Sequence, residues 1–404
     1  MKNDKSKIYF YFSSLISFFL FLPIFNKGNI GSDWDSYALI GTYENFIKYK
    51  LYIPSRPPGF PLYEFLVGLC IYISDFTGMP KEKIILLLQF VLLIGFNYLI
   101  YCFFQKEKNS NLIVYLIIIF SPIYLISGLS AIDYFIGNLF GFLGIYAAFY
   151  LRNTKYQQAL IILALSLSIL ARLSNVIYLF VVIFYIYLKN KNTKNFLLIV
   201  GSTLIISSIS YFVLYSNLFN FYQSSNIYSS WSEMLCVFNL TNTDHDLINR
   251  LGRFTLKQIP FLGTVGSVLL ISNLFKFNIN IKNNYFYIFL IFLLFELSFF
   301  RLPTEEGHLL PAFISFMILI SKNNHKVLLA ILFFVSLSNF VDLKFYEVDK
   351  IDSASSISFT LRLEEGFLIQ DYRLRNKIGE EKSFHYENSQ ITLYDAWSKG
   401  CPNK

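Results

Sequence analysis

Two aspartates, Asp33 and Asp35, stand two residues apart in the stretch GSDWDSYALI. A carboxylate pair at that spacing can take a proton from an attacking hydroxyl, or help hold a divalent cation such as Mg or Mn. A solvated loop whose aspartates only favour turns carries the same pattern. Further along comes SRPPGFP, residues 55–61. Arg56 in that run is a permanent cation whose fork of donors suits phosphate. The prolines and Gly59 stiffen the chain around it, which would serve equally well as a rigid lead-in to a helix. Glu64 follows, placed either to position a substrate or to face water.

The elements that must position these groups are apolar. Of the 404 residues, 55% are hydrophobic and only 15% charged, well below the quarter that is usual for a soluble domain. Apolar runs near bilayer length recur at 8–25, 84–104, 112–128, 135–151, 158–171, 174–188, 196–217, 259–277, 285–302, 308–321 and 327–341. The expected fold is therefore an all-α polytopic membrane protein with about eleven transmembrane helices. The first run follows MKNDKSK without a small-residue cleavage site, so it reads as an uncleaved span.

Residues 60–77 are apolar but short and bracketed by Glu64 and Asp75, which predicts an interfacial helix. Loop charge supports that choice. With 60–77 lying on the outer surface, Lys2, Lys5, Lys7, Lys106, Lys108, Arg152, Lys155, Lys189, Lys191, Lys194, Lys276, Lys282, Lys322 and Lys326 all fall on the inner side. The net charge of +8 is thus an orientation signal, and nucleic acid is not an expected partner. The outer side then holds the loop 26–83, short turns at Asp133 and Arg172, a polar loop 218–258 long enough to act as a cover, and the turn RLPTEEGH, residues 301–308. Residues 1–341 form the transmembrane domain. Residues 342–404, with nine basic and eleven acidic residues, form a C-terminal soluble α/β segment, expected outside, in which ISFTLRL alternates like a strand.

Other residues could contribute. Asp133 stands at the outer boundary, as an active group or as a turn in contact with water. Arg172 breaks a long apolar stretch, to meet phosphate or to snorkel to the interface. Glu296 lies inside an apolar run, where it must be paired, protonated or beside a wet cavity. Glu305, Glu306 and His308 could bind an acceptor or metal, although a solvated turn explains them as well; Asp244, His245 and Asp246 read as solvent-facing. The four cysteines, Cys70, Cys102, Cys236 and Cys401, show neither a disulfide framework nor a zinc spacing.

The first outer loop resembles that of the GT-C glycosyltransferases of the protein-mannosyltransferase and aminoarabinose-transferase type. In that family an Asp-Glu pair is followed by an aromatic residue four places after the Asp, then by a basic residue with Pro-Pro leading into a juxtamembrane helix. Here Asp33, Tyr37 and Arg56-Pro57-Pro58-Gly59-Phe60-Pro61 stand in those places, with Trp34 where the family has Glu and Asp35 one place later. An outer Asp after the third span and a basic residue before a Leu-Leu-Pro opening are similar to Asp133, and to Arg301 with HLLPA at 308–312. The likeness covers residues up to about 320.

The resemblance implies a GT-C-like domain that takes a sugar from a polyprenyl-phosphate carrier and transfers it, with inversion, to a lipid, glycan or protein. Asp33, with Asp35 beside it, would be the catalytic carboxylate, and Arg56 would meet the departing phosphate. Tyr37, Glu64, Asp133, Arg172, Arg301, Glu305 and His308 would line the donor and acceptor sites. No cofactor is required, though the aspartate pair is permissive for a divalent metal. The expected location is the bacterial inner (plasma) membrane, multi-pass, with the site on the extracytoplasmic face and membrane lipids around it. A polysaccharide polymerase and an oligosaccharide or small-molecule transporter are the competing readings.

Overall fold

A backbone away from water must satisfy its own polar groups, and long apolar runs can do so as helices. Helices dominate the computed structural model, which describes residues 2–49, 52, 55, 59–106, 111–151, 155–190, 193–224, 254–255, 258, 283–301, 306–322, 324–351 and 354–380. In chain order the described helices are α1 (Lys2–Lys27), α2 (Trp34–Tyr49), α3 (Pro61–Thr77), α4 (Lys81–Lys106), α5 (Leu112–Phe120), α6 (Pro122–Leu129), α7 (Asp133–Tyr150), α8 (Lys155–Ala171), α9 (Val176–Asn190) and α10 (Thr193–Ser224). They continue as α11 (Asn284–Arg301), α12 (Leu309–Leu319) and α13 (His325–Leu337). A hairpin of β1 (Val341–Ile351) and β2 (Ala354–Glu365) then leads into α14 (Phe367–Glu380).

Local chemistry explains the boundaries. Proline opens α3, where its missing N–H costs nothing, and Gly78 closes it in the left-handed region at φ 69°. Asn111 accepts from the Ile113 amide to cap α5, and Asn324 caps α13 in the same way through the Lys326 amide. Ser121-Pro122 interrupts the 112–129 run, and the two halves bend by 56°.

Among the described residues, three helical stretches are long and apolar enough to cross a membrane: Lys7–Lys27, Lys81–Lys106 and Phe196–Val213. The bent pair α5–α6 makes a fourth if it counts as one span. Shorter apolar helices cover Lys155–Ala171, Leu173–Lys189, Asn284–Phe300, Leu309–Lys322 and His325–Leu337. The architecture is that of a helical membrane protein with a small terminal hairpin. The expected span 259–277 lies outside the described residues.

The chain divides into two compact units. The first comprises Met1–Leu22, Leu93–Gly128 and Arg250–Leu374. Sparse polar links fix helices within it: Ser13 shares a 2.6 Å hydrogen bond with the Tyr115 hydroxyl, and the Tyr124 hydroxyl donates to Asn97 Oδ1 at 2.8 Å. Its hairpin pairs antiparallel, with Val341 opposite Glu365 and Lys344 opposite Arg362. Asn339 Nδ2 donates to the Phe120 carbonyl at 2.7 Å, satisfying the final residue of α5.

The second unit comprises Pro23–Leu92, Leu129–Asn249 and Arg375–Lys404. Its α7 packs against α8 and α9 along a seam of small residues, the usual device where apolar helices must approach closely. A Cβ at Gly137 would meet Asn175 Nδ2 at 2.4 Å, and one at Gly141 would meet the Tyr178 ring at 2.3 Å. The Tyr178 hydroxyl donates to Asn138 Oδ1 at 2.8 Å, which fixes the ring against that seam. Gly141→Ala is expected to displace the ring and destabilise the protein by about 1–3 kcal/mol, the usual cost of overpacking. The thermal midpoint in detergent should fall accordingly, and an unchanged midpoint would mean that the seam is not close-packed at Gly141.

Candidate functional site

The second unit gathers Asp33, Asp35, Tyr37, Glu64, Asp133 and Arg172. A tightly closed cleft, with no free room for a water molecule, is bordered by Asp35, Leu39, Ser55, Phe60, Ala131, Ile132 and Asp133. Asp35 and Leu39 share one face of α2, being one turn apart. Asp33 is exposed just before α2 and caps it: its Oδ1 accepts from the Asp35 amide at 3.3 Å and its carbonyl from the Ser36 amide at 3.2 Å. Of the two aspartates, therefore, Asp35 lines the cleft and Asp33 holds the end of the helix that carries it.

Asp133 opens α7, where the helix dipole favours a negative charge. Its Oδ2 accepts from Arg172 Nη1 at 2.8 Å, with the side chains only 3% and 9% exposed respectively. Arg172 sits in extended backbone between α8 and a 3-10 turn at Leu173–Asn175, and its Nε donates to Ser174 Oγ at 3.2 Å. Its guanidinium also lies 6.0 Å from the centre of the Phe60 ring and 5.4 Å from that of Tyr134, a cation–π setting. Arg172 thus pairs with Asp133 and does not snorkel, and Asp133 is a buried helix residue, not a wet turn.

Glu64 does not face water. It is buried in the first turn of α3 and accepts four hydrogen bonds. The Ser55 amide and Ser55 Oγ each donate to Oε1 at 2.6 Å, the Phe60 amide donates to Oε2 at 3.2 Å, and the Tyr52 hydroxyl donates to Oε2 as well. One carboxylate therefore gathers Tyr52, Ser55 and Phe60. Burial raises the Glu64 pKa above its ordinary value of 4.5, against the opposing pull of the Ser55, Tyr52 and Phe60 donors.

Beside Glu64 lies a cavity of about 550 Å³, lined mainly by apolar groups of α2 and α3, including Tyr43, Phe46, Leu62 and Leu69, with Leu170 of α8 and Ser210 of α10. Glu64 and Tyr52 form part of its wall. The Ser55–Glu64 bonds thereby connect the cleft that holds Asp35 and Asp133 to the apolar cavity.

The other expected site residues are distributed differently. Tyr37 is fully buried, and it lies two positions along α2 from Asp35, which sets it on another side of the helix. Burial pushes its phenol up to about 12, opposed by the charge of Arg375 and by the Ile30 backbone. His308 belongs to the first unit, buried with its ring 6.1 Å from that of Phe295, so it is not part of a solvated turn. Glu296, in the same unit, accepts from Gln258 Nε2 at 2.6 Å, the partner that an intramembrane carboxylate requires. Arg56, Glu305, the cover loop residues Asp244, His245 and Asp246, and the side chains of Arg301 and Glu306 lie outside the described residues, as do Cys236 and Cys401. Among the described residues no three His, Cys, Asp or Glu side chains group in a way that could hold a metal ion.

Tyr52 and Ser55 were not legible as site residues. Their only signal is nearness to Arg56, Ser55 directly before it and Tyr52 four positions before, since a hydroxyl becomes informative once its carboxylate partner is known. In comparisons with known proteins, no family model matches the chain, and no curated protein or solved structure matches it either.

The raised Glu64 pKa gives a signed pH dependence. Between 4.5 and the folded value the native state binds the proton that the unfolded state releases, so stability rises as pH falls through that window and is lost as pH rises through it. The thermal midpoint in detergent should therefore increase on mild acidification, and Glu64→Gln should remove that increase. A midpoint whose pH dependence is the same with Gln at this position would refute the assignment to Glu64.

Proposed function

We propose that the chain is a membrane glycosyltransferase that moves a sugar from a polyprenyl-phosphate donor to a hydroxyl of a glycan, lipid or protein, with inversion. One observation carries the reading: Asp35 and Asp133, the latter paired with Arg172, border one cleft that hydrogen bonds tie to an apolar cavity. The apolar cavity has room for a hydrocarbon chain, and the closed cleft beside it would have to widen to admit a charged head. The loop motif and its resemblance to GT-C enzymes support the same class.

In this reading Asp35 is the general base. The acceptor oxygen bonds to the anomeric carbon as its proton passes to the Asp35 carboxylate. The bond between that carbon and the donor's phosphate oxygen breaks, and the electron pair leaves with the phosphate. Arg172 offsets the growing negative charge, a role the loop motif also assigns to Arg56. Asp133 fixes the orientation of Arg172, and the lipid chain occupies the cavity beside α3. No cofactor is needed to balance the step.

The membrane setting belongs to the same proposal: about eleven spans in an inner membrane, with the cleft on the extracytoplasmic side. The outward face of α3 supports an interfacial position, since Phe65, Leu69, Tyr72 and Phe76 are all exposed on it. Polymerase chemistry would use the same base and leaving group on a longer acceptor. The transporter reading has one observation in its favour, the bent pair α5–α6, because broken spans mark transporters.

The test is transfer of labelled sugar from a panel of polyprenyl-phosphate sugars by the full chain in detergent. Asp35→Asn should cut turnover by about 10²- to 10⁴-fold, the range of general-base catalysis. Asp33→Asn should stay within about threefold of the parent, because Asn caps a helix as well as Asp does. Equal losses in the two variants would overturn the choice of base. Substrate movement across vesicles without any sugar transfer would favour the transporter.

A further inference from the structure

Arg375 is a cation of the polar C-terminal segment, yet its side chain ranks among the largest fully buried ones in the protein, at 1% exposure. Its Nη1 donates to the Leu129 carbonyl at 2.8 Å and its Nη2 to Ser130 Oγ at 2.5 Å. Leu129 ends α6, where an unsatisfied carbonyl and the negative end of the helix dipole both attract a cation. The next residue but one, Ala131, donates its amide to the Ile30 carbonyl at 2.8 Å, and Ala131, Ile132 and Asp133 line the cleft. Helix α14, which carries Arg375, also holds the segment before Asp33. Asn376 Oδ1 accepts from Asn29 Nδ2 at 2.9 Å, and Gly379 approaches so closely that a Cβ there would lie 2.1 Å from Asn29 Oδ1.

We propose that Arg375 is a positioning residue of the cleft: with Asn376 and Gly379 it clamps the segments 28–33 and 129–133 together, and so sets Asp133 beside Asp35. The C-terminal helix is then a working part of the site and not an appendage. The effect on turnover rests on the transferase reading, whereas the effect on the geometry of the cleft does not.

The experiment uses the full chain in detergent, with its four cysteines replaced by serine and Ala131→Cys as a reporter. The reporter position is fully buried, so N-ethylmaleimide should label it slowly. Arg375→Ala should speed labelling by about tenfold or more, as expected when hydrogen bonds from a charged group are lost. Arg375→Lys, which keeps a donor near Leu129, should lie in between. In the transfer assay, Arg375→Ala should lower kcat while leaving the donor KM within about twofold, the pattern of an interaction felt in the transition state, with partial recovery in Arg375→Lys.

Should Arg375→Ala fail to fold, Gly379→Ala decides, because it forces Asn29 off the helix with Arg375 intact; faster labelling supports the clamp. Unchanged labelling in whichever variant is isolated overturns it, as does a kcat loss that Lys does not relieve. If the parent chain transfers no sugar, the transferase reading fails and the labelling rates alone decide the clamp.

Discussion

The buried ion pair of Asp133 and Arg172 is the constraint around which the second unit is organised. Neither charge can sit among apolar helices alone, and removing one partner of such a pair typically costs about 3–5 kcal/mol. The pair therefore dictates where helices begin and end. Asp133 starts α7, and Arg172 occupies the extended residue at which α8 stops. The seam of small residues continues the same logic, since the α8–α9 break can face α7 only if Gly137 and Gly141 leave room for Asn175 and Tyr178.

Glu64 is a second charge handled by other means. The four donors that enclose it are neutral, and all come from the short segment between Tyr52 and Phe60. A buried carboxylate so enclosed is held rigidly, and it holds its donors in turn. The consequence is a polar wall, Tyr52, Ser55 and Glu64, between the cleft with its aspartates and the apolar cavity. The two environments thus lie within a few residues of one another.

Much of the helical framework is legible in the sequence alone. Several apolar runs locate helices to within a few residues, as 84–104 against Lys81–Lys106 illustrates, because hydropathy is read over a local window, whereas α2 lies in a stretch read as loop. The alternation in ISFTLRL likewise lies within β2. Glu64, Asp133 and Arg172 stand out because ionisable groups in apolar surroundings are costly and seldom incidental, and the aspartate pair stands out by its spacing, with Asp33 as the expected base. Partnership is what the sequence conceals. Arg172 and Asp133 are 39 positions apart, Arg375 and Ser130 are 245 apart, and neither distance leaves a trace in composition or spacing. Arg375 in particular stands in a charged stretch, DYRLRNK, where every local rule describes a solvated helix.

The sequence by itself determined that this is a helical, membrane-embedded chain with a cluster of carboxylates and cations around its first long loop, because hydrophobicity and charge are carried residue by residue. Only the tertiary structure decided which aspartate faces the cleft and which caps a helix, and which groups hydrogen-bond each buried charge. Those outcomes depend on side-chain direction around a helix axis and on contacts between segments remote in the chain, and folding fixes both at once.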